Sequence, residues 1–187
     1  MKRRNLLLGA GATTVAALGG AALWRPGDEG GPHDPYFARL NELLKRSGPG
    51  HPVMLIDAER MMHNVDVLTT SVGPEKTYRV VVKSLPSVPL LGEVMARAGT
   101  QALMVFHQPF LNAIAQAFPQ SDVLLGKPMP VAAVRTFYRQ LTDGAFDPAQ
   151  QVQWLVDSRE RLAQYQALAR ELGLKLRINA EIDVGLH

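Results

Sequence analysis

Short apolar runs and helical stripes alternate along this chain from residue 51 onward, and that alternation limits its fold more than any other feature. The apolar runs fall at residues 51–57, 78–84, 101–106, 122–126, 151–156 and 174–184. They begin roughly 20 to 30 residues apart, the period of repeated strand–helix units. Between them, apolar residues recur at helical spacing, as in Met61, Val65 and Leu68, or Leu162, Tyr165, Leu168 and Ala169. Helices are predicted over 58–70, 89–98, 109–118, 130–141 and 159–172, the second stopped by Gly99. With 187 residues, 47% of them hydrophobic, the chain can bury a core around such units.

Six units ask for a doubly wound sheet or a (β/α)8 barrel. No G-x-G-x-x-G turn follows the first run, which argues against a dinucleotide-binding sheet. A complete barrel takes ~250 residues. The expectation is therefore an α/β fold, a partial (β/α)8 TIM-type barrel of six units over residues 51–187, cut from something longer.

Ahead of the barrel, Met1-Lys2-Arg3-Arg4 precedes an uncharged stretch from Asn5 to Trp24. Adjacent arginines before leucines resemble a twin-arginine export signal. If uncut, about 20 residues at ~1.5 Å each reach across ~30 Å of hydrocarbon. The expected location is the periplasm, or its side of the membrane by anchoring through residues 1–24. Residues 25–50 read as a linker with one outer helix: Asp34-Pro35 is an N-cap followed by proline, and Phe37, Leu40, Leu43 and Leu44 form its stripe.

Several chemistries are excluded or weakened by composition. The chain has no cysteine, so disulfides, thiolate catalysis and cysteine-based metal sites are out. Its five histidines form no H-x-x-x-H or H-E-x-x-H pair, so no metal site is expected. The net charge of +3 is scattered and not interleaved with aromatics, which leaves nucleic-acid binding unsupported.

The stretch that carries chemistry is Tyr78-Arg79-Val80-Val81-Val82-Lys83-Ser84. Its valines read as a strand covered on both faces. A lysine at the tip of such a strand either snorkels to water or is desolvated into a nucleophilic amine of the kind that forms Schiff bases. In a barrel the carboxyl ends of the strands carry the active site, and Lys83 is at one. Alternation puts Arg79, Val81 and Lys83 on one side of the strand. His107, after the third run, is a candidate acid or base, with capping of the next helix as the competing role. Asp183, near the end of the sixth, is a candidate for orienting a cationic group, against a structural hydrogen-bonding role. Asp57 reads as an N-cap and Lys127 as a solvated loop lysine.

Three segments together resemble a known family. Residues 51–65, with Pro52, a hydrophobic run, Asp57 and Asn64-Val65, are similar to the opening strand and helix of the fold-type III enzymes that use pyridoxal phosphate (PLP). Arg79-Val80-Val81-Val82-Lys83-Ser84 is similar to their lysine-bearing second strand, and residues 178–187 to a later strand. The resemblance is to the alanine racemase N-terminal barrel, within it to the D-threonine aldolase and D-serine dehydratase branch. It departs from that branch at Val81, Leu85 and Pro86, where histidine and basic residues are common.

The resemblance implies PLP as cofactor and Lys83 as the Schiff-base lysine, hence both a catalytic and a cofactor-binding residue. By their places at strand ends of a barrel, His107 is a second catalytic candidate and Asp183 a second cofactor contact. The implied function is a lyase, cleaving or dehydrating a D-β-hydroxy amino acid. A racemase, or a non-catalytic PLP-binding barrel or inactive fragment, are the alternatives. The family's phosphate grip, divalent-metal ligands and C-terminal β domain lie beyond His187 in its members. Implied partners are a small amino-acid substrate and, as an open option, a second copy in a homodimer. A PLP enzyme folds where its cofactor is made, which suits an export route for folded cargo.

Overall fold

The computed structural model describes residues 30–142 and 144–182. The chain divides into two units, Met1–Met54 and Leu55–His187. In the first, helix α1 (Pro35–Ser47) begins where the sequence indicates. Asp34 Oδ1 accepts the backbone N–H groups of Tyr36 at 2.8 Å and Phe37 at 3.1 Å, and Pro35 occupies a first-turn position that needs no donor. The segment read as an export signal or anchor, residues 1–24, lies outside the described residues. Among the described residues no helix is long and apolar enough to cross a membrane.

The second unit alternates strands and helices. Its order is α2 (Ala58–Val72), β1 (Val80–Val81), a 3-10 turn (Val82–Ser84), α3 (Val88–Ala98), β2 (Ala102–Val105), α4 (Gln108–Ala117), β3 (Asp122–Leu125), α5 (Val131–Gln140), α6 (Pro148–Gln151), β4 (Val152–Val156), α7 (Arg159–Leu172) and β5 (Arg177–Ala180). The strands form one parallel sheet in the order β1-β2-β3-β4-β5. When parallel neighbours follow one another in sequence, right-handed crossovers put every connecting helix on the same face. The other face then becomes the inside of a barrel. Burial agrees: Val80, Leu103, Val105, Val123, Leu125, Val152, Trp154 and Val156 are buried beneath the helices. The alternate residues Val81, Met104, Leu124, Gln153 and Leu155 on the inner face are half-buried. This is an α/β fold, a partial (β/α) barrel.

Helix boundaries follow local chemistry. Asp57 caps α2 by accepting from the Arg60 N–H at 3.0 Å. Gly99 and Gly173 end α3 and α7 in the left-handed region, at φ 62° and 64°, where a Cβ would be strained.

Three expected strands differ. Residues 51–57 form no strand; Val53, Met54, Leu55 and Ile56 are outside any regular element and exposed. Apolar, β-branched residues favour extension, but a strand also needs a partner edge, and β1 is only two residues long. The run over 78–84 gives that short strand because Val82–Ser84 turns into a 3-10 helix, closed by the Leu85 N–H donating to the Val82 carbonyl at 3.0 Å. Among the described residues the sixth run is a strand over Arg177–Ala180, with the Glu181 N–H donating to the Val156 carbonyl at 2.8 Å, and the short helix α6 is an addition to the predicted elements.

Candidate cofactor site

The inner face of the sheet is layered. At the amino ends of the strands Arg79 reaches across Ala102, whose methyl leaves room, and donates to the carbonyls of Leu103 at 2.9 Å and Asp122 at 2.7 Å. Its guanidinium also donates to Asp122 Oδ2 at 2.5 Å. Gln153 donates to Asp122 Oδ1 at 2.8 Å, and Asn179 to Gln153 Oε1 at 3.0 Å. This ladder ties β1, β3, β4 and β5 together. Burial of Asp122 opposes its ionisation, but the hydrogen bonds from Arg79 and Gln153 and the charges of Arg79 and Arg177 outweigh it, holding the carboxyl below its ordinary 3.8.

A carboxylate with a depressed folded pKa stabilises above its unfolded value, and that contribution disappears as pH falls through the folded one. The melting-temperature gap between wild type and Asp122→Asn should therefore be widest near neutrality and shrink below roughly pH 4. A gap independent of pH would assign the ladder's contribution to shape alone.

Above the ladder lies an apolar layer in register, Val81, Met104 and Leu124. At the carboxyl ends stands Lys83, lifted off the sheet by the 3-10 turn. Its Nζ lies 4.7 Å from the centre of the Phe106 ring, within reach of the ring's negative face. Phe106 in turn lies over Gly126. A Cβ at Gly126 would fall 2.4 Å from Phe106 Cζ, 2.5 Å from its Cε1 and 3.0 Å from Met104 Cγ. Only glycine admits the ring there.

The loop leaving Gly126 is pinned from the helix side. The buried Tyr165 hydroxyl donates to the Met129 carbonyl at 2.8 Å and accepts the Met129 N–H at 3.1 Å. Burial pushes that hydroxyl's pKa up, against the opposing hydrogen bond to Met129, so it remains a neutral donor.

The expectation of a desolvated amine is corrected: Lys83 is exposed, because the chain turns before the lysine instead of carrying it along a covered strand. His107 occupies the N-cap position of α4 without a capping side-chain bond, and its ring lies 6.0 Å from Phe110 on that helix. The aromatic ring over which the Lys83 amine lies is that of Phe106. Asp183 lies outside the described residues. Lys127 is an exposed loop lysine. Phe106 and Gly126 were missed in the sequence, although a glycine closing a strand-like run is a signal of close approach.

The donor set suits an aldehyde cofactor at one point. Condensation needs an amine that a dissolved aldehyde can reach, and Lys83 is exposed with an aromatic ring as its contact. The family model for the alanine racemase N-terminal domain matches residues 56–187, more than half of the chain. The chain belongs to the alanine racemase N-terminal domain family. Family membership makes it a fold-type III barrel of the PLP-dependent enzymes, and PLP is the family's cofactor. The match does not divide lyases from racemases. No curated protein matches the chain.

Proposed function

We propose that the chain is the barrel of a lyase acting on D-β-hydroxy amino acids, with Lys83 as the amine that holds PLP and moves protons at the substrate. The observation that carries this reading is the reachable amine of Lys83 at the carboxyl end of β1, on the barrel's inner side, within the family-matched residues. PLP, when bound, supplies an electron sink for the carbanion left by bond cleavage. In aldol cleavage a base takes the β-hydroxyl proton, the Cα–Cβ bond breaks, an aldehyde leaves, and a proton returned to Cα gives glycine. In dehydration the Cα proton and the β-hydroxyl leave as water, and hydrolysis of the resulting enamine gives a keto acid and ammonia.

A lyase and a racemase differ in what is exchanged at Cα. Racemisation requires a proton taken from one face of Cα and delivered to the other. A lyase instead breaks the Cα–Cβ or the Cβ–O bond, so the two readings are told apart by their products. The test is product analysis of PLP-loaded protein with D-threonine, D-serine and D-alanine. The expected products are glycine with acetaldehyde from D-threonine, or 2-oxobutyrate with ammonia, and pyruvate with ammonia from D-serine. Accumulation of L-isomers without these products would make the chain a racemase.

A further inference from the structure

We infer that Phe106, seated over Gly126, is a positioning residue for Lys83. This rests on the reading that Lys83 holds the cofactor, and it adds how an exposed lysine is kept at the barrel mouth. Lysine has a flexible four-carbon stem and three rotatable donors, so an exposed one samples many rotamers. Fixing it needs a contact that leaves the nitrogen reachable. A carboxylate would hold the amine as a salt bridge and cover it; an aromatic face attracts the ammonium from one side. Phe106 is that face, at 4.7 Å.

The ring is itself placed by the backbone. Phe106 directly follows β2, and Gly126 directly follows β3, the two strands being paired through Val105 and Leu125. The Gly126 N–H continues the ladder by donating to the Val105 carbonyl at 2.9 Å. The ring occupies the space that any side chain at 126 would take. Three consecutive strand ends thus make one stack, with glycine as floor, phenyl ring as platform and amine on top. The loop under the floor is held by the two Tyr165 hydrogen bonds to Met129.

The test compares reductive labelling of the full chain by PLP and borohydride, read by peptide mass as the yield at Lys83 relative to the solvated Lys127. Phe106→Leu removes the ring and keeps an apolar side chain; Phe106→Trp restores an aromatic face. Gly126→Ala displaces the ring without removing it. Phe106→Leu and Gly126→Ala are each expected to lower the Lys83 to Lys127 ratio about two- to fivefold, the range of an exposed cation–π contact, with Phe106→Trp close to wild type. Circular dichroism selects the folded variants, and every folded one of the two must show the lowered ratio. A folded variant with an unchanged ratio, beside a wild type that prefers Lys83, overturns the positioning role alone. A wild type without preference for Lys83 overturns the cofactor reading beneath it.

Discussion

Lys83→Ala should leave the chain folded and unable to retain PLP. The side chain is exposed and lies over the Phe106 ring, so truncation should change stability by no more than about 0.5 kcal/mol. The chemical effect is of another size. Without the amine there is no covalent attachment, and loss of a proton-transferring group costs about 10²- to 10⁴-fold in rate. Absorbance of the loaded protein after dialysis, beside its circular dichroism, separates the two effects. Lys83→Arg sharpens the comparison, because guanidinium keeps the charge over Phe106 but does not condense with an aldehyde under these conditions. Retention of colour by either variant would move the attachment to another lysine.

The largest expected loss of stability lies beneath the helices. Trp154 is 1% exposed, and its ring meets Phe137 at 5.7 Å, Tyr138 at 6.1 Å and Tyr165 at 6.3 Å. Its indole N–H points to the Tyr138 hydroxyl at 3.4 Å. Burial pushes that hydroxyl up to about 12, so the contact is between neutral groups. Trp154→Ala removes the largest fully buried side chain and leaves a void between β4, α5 and α7 that these rings do not fill. A cost of about 3–5 kcal/mol follows, a large share of the ~5–15 kcal/mol that holds a domain folded. Urea unfolding followed by circular dichroism measures it. A loss below about 1 kcal/mol would mean that the three neighbouring rings close over the space.

Much of this fold was legible because two periodicities coexist in the sequence. The pattern Val152, Trp154, Val156 announces a strand with one face under cover, and Tyr165 and Leu168 announce a helix with one face inward. The caps at Asp34 and Asp57 and the stop at Gly99 were readable because each rests on a single residue's chemistry. Residues 51–57 misled because apolar, β-branched composition measures willingness to extend, while a ladder depends on which edge is free to accept it. Residues 82–84 misled for a related reason: three valines in a row carry no mark of where a strand turns.

The site was legible only in part. Lys83 stands out by type and place, but its exposure follows from the 3-10 turn, which the sequence does not signal. Phe106 and Gly126 meet because Val105 and Leu125 are in register, and register is a property of paired strands that neither segment shows alone. The Arg79 to Asn179 ladder draws on residues up to 100 positions apart in the chain, each unremarkable where it stands.

The central claim is that one particular amine of this barrel accepts the cofactor. Its most direct measurement is the mass of the peptides obtained after loading the wild-type chain with PLP at substoichiometric ratio, reducing with borohydride and digesting. The account predicts the pyridoxyl adduct on the peptide that contains Lys83. An adduct shared evenly among Lys45, Lys76, Lys127 and Lys175, with Lys83 no better than they are, would contradict it.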